Sequence, residues 1–202
     1  FLNYNSSYLE RMLEQLLDEA ESPEVTRFLR AVDVRIDGFR VEKAPEWRGQ
    51  RVFVRHEVDG KGYELRLSEE SAGTQKLMGL AAYLMAALER GTTVVVDELD
   101  AKLHSKLLRY VILLFKDPEV NKSGAQLIFS SQDVSTMRND VFRRDEIWFA
   151  ARGEGEASQL WSLADIHESN GNLVSKNAAF DKQYLSGRYG ADPYLTRIEE
   201  WD

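Results

Sequence analysis

The stretch TTVVVDELDAKLH, residues 92–104, decides the fold class. Thr92, Thr93, Val94, Val95 and Val96 are consecutive β-formers with no polar alternation, the pattern of a parallel-sheet strand covered on both faces. The strand then delivers two carboxylates, Asp97 and Glu98, to the point where the chain must turn. In open α/β sheets ligands sit outside the carboxyl ends of the strands, so this pair marks a place for chemistry. The bland alternative is an exposed acidic turn that helps to cap the next helix.

The flanking segments extend the α/β reading. Upstream, QKLMGLAAYLMAALER is an apolar helix stopped by Gly91. Downstream, SKLLRYVILLFKD places Leu107, Leu108, Val111, Ile112 and Phe115 at helical spacing, and AQLIFSS gives a second buried strand. DEIWFAA and SQLWSLA flank the Gly-containing turn RGEGEA and predict a hairpin at the sheet edge. Nearer the start, the period is two: Val32, Val34 and Ile36, then Val52 and Val54, then Tyr63, Leu65 and Leu67, an antiparallel region with DGKG as a turn. Before it come a helix with a capping box at Ser7 and Glu10, and a short helix from Ser22-Pro23 that buries Val25, Phe28 and Leu29. The expected organisation is a helical arm (1–30), an antiparallel β lobe (31–67), a core (68–163) and an irregular C-terminal tail with one helical turn (164–202).

Composition narrows the classes. At 202 residues with 43% apolar content the chain can fill a sizeable core. There is no cysteine, hence no disulfide framework or thiolate metal site, and His56, His104 and His167 show no ligand spacing. The longest apolar run, LMGLAAYLMAAL, is about half a bilayer span, so a soluble, cytoplasmic protein without a membrane partner is expected. A net charge of −8 argues against wholesale wrapping of nucleic acid. Local clusters such as Arg48, Arg51 and Arg55, or Arg143 and Arg144, keep nucleic acid open as a partner, with solvated surface charge as the plainer reading. The sequence starts at Phe1, and we expect it to be part of a longer polypeptide.

Three elements carry candidate chemistry. Two adjacent acids after an apolar strand suit a division of labour in which Asp97 holds Mg²⁺ and Glu98 polarises the water that attacks phosphorus. In EESAGTQKLMGL, Ser71, Ala72, Gly73 and Thr74 are small or hydroxylic and lie where a long helix starts, so their N–H groups and the helix dipole can face an anion. At the second strand end Ser130, Ser131, Gln132 and Asp133 cluster where they can sense whatever the two acids hold.

This order of elements resembles the C-terminal half of an ABC-type, P-loop NTPase-like ATPase head, as in structural-maintenance-of-chromosomes (SMC) proteins. ESAGTQK is similar to the signature motif, with Ser71 at its serine and Gly73 at its second glycine. TVVVDE resembles a Walker B motif with catalytic Glu98, LDAKLH stands at the D-loop, and IFSSQD at the switch-histidine loop. Together with RRDEIWFA and YLSGRYGADP, these motifs are similar to AAA-type ATP-binding proteins of phage-defence and abortive-infection loci, such as the Septu, PARIS and retron ATPases. The resemblance implies ATP and Mg²⁺ as cofactors and a homodimer that sandwiches nucleotide through Ser71 and Gly73. It also implies an effector nuclease or toxin as partner.

The sequence departs from that pattern in three places. It contains no G-x-x-x-x-G-K-[ST] loop, so the phosphate-loop half is expected upstream; DGKGY, with Lys61, reads as a hairpin turn. Gln132 stands where histidine is usual; it can donate a hydrogen bond or orient water but cannot carry a proton, which implies slow turnover. His104 replaces the D-loop aspartate, as a dimer contact or as plain helix surface. In the tail, Arg188 and Tyr189 between Gly187 and Gly190 suit either a contact to a partner or a clasp over the core. The leading expectation is an ATPase. Its rivals are a nucleotide-gated scaffold with little hydrolysis, a DNA-repair type ABC ATPase, and a nuclease metal cluster of Asp97, Glu98, Asp100 and Asp133.

Overall fold

The computed structural model describes residues 23–32, 36–44, 49–152 and 157–191. The helix expected around Ser7 and Glu10 lies outside them, as does the turn at 153–156. The chain divides into two compact units, one running to Gln132 and one from Asp133.

In the first unit, α1 (Pro23–Ala31) buries Val25, Phe28 and Leu29, as their spacing predicts. The expected strand start at Val32 is corrected. Its N–H bonds to the Phe28 carbonyl at 3.1 Å, so Val32 closes the helix, because one more helical bond costs little once the helix exists. The antiparallel lobe begins instead at Gly38. It consists of β1 (Gly38–Ala44), β2 (Gly49–Val58) and β3 (Lys61–Arg66), with Val41 opposite Val52 and Val54 opposite Leu65. Asp59 and Gly60 have φ of 53° and 73°, the two left-handed positions of a tight hairpin whose twist matches its strands. Lys61 therefore opens β3 and belongs to no phosphate loop.

Beyond a 3₁₀ turn at Leu67–Glu69, α2 (Ala72–Arg90) buries residues around most of its circumference, from Lys76 and Leu77 to Ala87 and Leu88. Gly91 ends it with φ 67°, and a Cβ there would lie 2.3 Å from the Ser123 carbonyl oxygen, so backbone conformation and space both require glycine. β4 (Thr93–Val96) then runs parallel to β5 (Gln126–Phe129), from Thr93 opposite Gln126 to Val96 opposite Phe129. Between them α3 (Ser105–Lys116) buries Leu108, Val111 and Ile112. Val94 of β4 and Leu114 and Phe115 of α3 pack against a buried cluster of Ala87 and Leu88 of α2 with Ala125. The expectation that β4 and β5 are covered on both faces is corrected: Val95 and Ile128, opposite in register, are 54% and 56% exposed. Within the described residues the two helices cover one face of the pair and leave the other open.

In the second unit β6 (Trp148–Arg152) and β7 (Ser158–Ser162) form the expected hairpin, which among the described residues is a two-stranded sheet rather than the edge of a larger one. Short 3₁₀ turns and α4 (Phe180–Leu185) enclose a core of Ile147, Phe149, Leu163, Val174, Phe180 and Tyr189. Here the clasp reading of the tail holds for Tyr189. Its ring lies 5.3 Å from that of Phe149, its hydroxyl donates to Gln183 Oε1 at 2.6 Å, and its carbonyl accepts from the Trp161 indole. Arg188 beside it is exposed.

Burial pushes the Tyr189 phenol up to about 12 from an ordinary 10.0. A raised folded value contributes stability that is complete below pH 10.0 and is lost as pH rises through about 12. The stability difference between wild type and Tyr189→Phe should therefore narrow across that window in denaturant melts. A difference independent of pH contradicts the burial argument.

Candidate functional site

Where β4 ends the chain must reverse while sending Leu99 inward. Leu99 is fully buried and Asp97 and Glu98 are both exposed. The reversal is made at Glu98, whose φ of 49° lies in the left-handed region that costs a non-glycine residue about 1–2 kcal/mol. Lys102, with φ 63°, makes a second such bend. Backbone bonds close the turn, from Ala101 N–H to the Glu98 carbonyl at 3.0 Å and from Leu103 N–H to that of Asp100 at 2.9 Å.

Because β4 and β5 end level, Ser130 arrives beside the turn. Its N–H donates to the Val96 carbonyl (3.1 Å) and its carbonyl accepts from Leu99 N–H (3.0 Å). Its hydroxyl donates to Asp97 Oδ1 at 2.5 Å and accepts from Glu98 N–H at 2.7 Å. One side chain thus fixes the Asp97 rotamer and the Glu98 backbone together. The second oxygen of Asp97 and the whole Glu98 carboxylate make no hydrogen bond with a described residue. That donor set fits Mg²⁺, which is commonly bound by one or two carboxylates together with water and substrate phosphates rather than by an all-protein cage. Among the described residues no three His, Asp or Glu side chains gather to hold a metal, and Asp133 instead caps its own 3₁₀ turn by accepting from Ser135 N–H at 2.7 Å. Both facts weigh against the nuclease cluster.

The start of α2 docks on the same turn. A Cβ on Gly73 would stand 2.9 Å from the Lys102 carbonyl oxygen, so glycine here answers a close backbone approach. Lys76, one turn on and only 3% exposed, donates from Nζ to the carbonyls of Glu98 (2.6 Å) and Ala101 (2.8 Å). Burial lowers its pKa, while the charges of Asp100 and Glu98 work in the opposite direction. Ser71 is the N-cap of α2. Its Oγ accepts from Thr74 N–H at 3.1 Å and lies 2.9 Å from the Thr74 hydroxyl, and both Ser71 and Ala72 face solvent.

Thus the turn gathers Asp97, Glu98, Ser130 and the helix start Ser71–Thr74. Gln132 stands apart: it is exposed and hydrogen-bonds to no described residue. His104 caps α3, its Nδ1 accepting from Lys106 N–H at 3.1 Å, with the rest of the ring exposed. Sequence reasoning gave Lys76 no role. The one available signal was a lone lysine inside the apolar run QKLMGLAAYLMAAL.

Comparison with solved structures gives the fold. An SMC ATPase structure from work on ATP-driven dimerization and DNA stimulated activation matches with a TM-score of 0.51 at 16% identity, covering 76% of this chain and 88% of that one. The chain accordingly shares the mixed α/β, P-loop NTPase-like fold of that ATPase. A second, the SMC head bound to the C-terminal winged-helix domain of ScpA, matches at 0.46 and 16%, over 77% of this chain and 48% of that one. The chain belongs to the family described as AAA domain, putative AbiEii toxin, Type IV TA system, which matches residues 2–138. No curated protein sequence matches it. Among the described residues no helix is long and apolar enough to cross a membrane.

Ser130→Ala removes both side-chain bonds at the turn and should cost about 1–2 kcal/mol, read as a lower denaturant midpoint at unchanged slope. An unchanged midpoint contradicts the role given to Ser130.

Proposed function

We propose that this chain supplies the signature and Walker B half of an ABC-type head that binds and hydrolyses Mg²⁺-ATP as a homodimer. The observation that carries the reading is the Glu98 carboxylate, exposed and without a hydrogen bond to any described residue, beside an Asp97 already oriented by Ser130. In this reading Glu98 takes the proton of the attacking water, and Asp97 offers its second oxygen to Mg²⁺, which when bound supplies charge neutralisation at the phosphates. Ser71, Ala72 and Gly73 present N–H groups to the nucleotide held by the partner head, Thr74 contributes its hydroxyl while its N–H caps on Ser71, and His104 and Gln132 line the same interface. In this reading the phosphate loop is supplied by another segment, since this sequence contains no G-x-x-x-x-G-K-[ST] loop. The open Val95–Ile128 face is where such a segment would pack. The family's description as an AbiEii-type toxin domain supports a role in abortive infection, with a nuclease or toxin as the partner that ATP controls.

A second reading, a nucleotide-gated clamp with little hydrolysis, is favoured by Gln132, which cannot shuttle a proton. The deciding experiment measures ATP turnover and labelled-ATP binding by the polypeptide that carries this chain together with its phosphate-loop segment. Glu98→Gln should lower turnover by about 10²–10⁴-fold while binding survives. Equal turnover in the two proteins contradicts the ATPase assignment, and binding without turnover in either selects the clamp.

A further inference from the structure

Lys76 looks at first like a candidate phosphate contact, a cation one turn inside the helix that begins at Ser71. Its surroundings exclude that. The side chain is 3% exposed and its ammonium is already committed to the carbonyls of Glu98 and Ala101, at 2.6 and 2.8 Å. These carbonyls stand at the two ends of the turn that Glu98 opens in the left-handed conformation. Asp100, within the turn and three residues before Leu103, has one carboxylate oxygen buried with no hydrogen-bond partner among the described residues, and its negative charge favours the ammonium. On the opposite side of the contact, Gly73 lets the Lys102 carbonyl approach the backbone of the same helix. The first two turns of α2 and residues 98–102 are therefore joined at two points, one ionic and one steric.

We propose that Lys76 is a positioning residue: it ties the backbone of Glu98 to the helix start at Ser71–Gly73, so that a nucleotide contact at that start and the orientation of Glu98 change together. The inference rests on the ATPase reading and adds its regulation. In a dimer the helix start of one head faces the nucleotide of the other, while Glu98 serves its own head. The Lys76 clamp then couples the two sites, each site's catalytic turn being held by contacts made at its neighbour's nucleotide. A ligand influences such a turn only by binding better to the body in which it is correctly set, and the clamp makes helix start and turn one such body.

The test uses the same two-segment polypeptide. Lys76→Met keeps the aliphatic stem and removes both hydrogen bonds, and Lys76→Arg keeps a charged donor. Lys76→Met should lower kcat by about 10²-fold, the scale of a small misplacement of a catalytic group, with ATP affinity changed by less than about threefold. Amide exchange at Leu99, Ala101 and Leu103 should quicken and lose its protection by ATP. Lys76→Arg should recover most of kcat and of that protection. If Lys76→Met does not fold, Lys76→Gln, which lacks the charge and is one bond shorter, weakens both contacts and takes its place in the comparison. Wild-type kcat in Lys76→Met beside an inactive Glu98→Gln overturns the positioning role alone. Wild-type kcat in Glu98→Gln overturns the ATPase reading on which that role rests.

Discussion

At the end of β4 the chain has to reverse, bury Leu99 and leave two carboxylates in solvent, and the first unit is organised around holding that reversal. A left-handed glutamate is unfavourable by itself, so the turn persists only because its surroundings over-determine it. Ser130 grips it from β5, Lys76 and Gly73 from α2, and the buried Leu99 anchors it below. Each grip depends on larger elements being in register. The parallel pairing sets Ser130 level with Asp97, and the length of α2 returns the chain so that its first turns lie against the end of the strand that follows it. Strain kept in place by several independent contacts is a common sign of a functional turn, and this one presents its acids to solvent rather than to each other.

The elements were legible in the sequence where periodicity or turn chemistry acted locally. The α2 stop at Gly91, the hairpin at Asp59-Gly60 and the buried faces of α1 and α3 all follow from spacing within one segment. Val32 misled because an apolar residue after a helix fits either period, and a single helical hydrogen bond to Phe28 decided between them. The run Thr92–Val96 has the composition of a doubly covered strand, yet Val95 and Ile128 are open among the described residues. Apolar composition records what a strand is built to bury, whereas exposure records what these described residues provide. The contacts that finish the site were not legible. The hydroxyl of Ser130 meets Asp97 from 33 residues away, and Lys76 reaches Glu98 from 22, pairings that only the fold creates.

The arrangement also separates roles that the motifs had grouped together. Gly73 is explained by the approach of the Lys102 carbonyl, and Ser71 already caps its own helix, so both have structural duties in addition to the nucleotide contact proposed for them. Likewise Tyr189 belongs to the core of the second unit while Arg188, its neighbour in the same motif, remains on the surface. A family resemblance carries such residues as a set. The physical environment of each determines which are free to meet a ligand, and by that measure Glu98 and the second oxygen of Asp97 stand first.

The central claim is that the strand-end carboxylates face a metal-nucleotide complex. Its most direct test replaces Mg²⁺ with Mn²⁺ in the polypeptide that carries this chain and its phosphate-loop segment, and records the electron paramagnetic resonance spectrum with ATP present. The account predicts a protein-bound Mn²⁺ signal in the wild type that Asp97→Asn reduces to the spectrum of Mn²⁺-ATP in solution. The same bound signal in both proteins would contradict it.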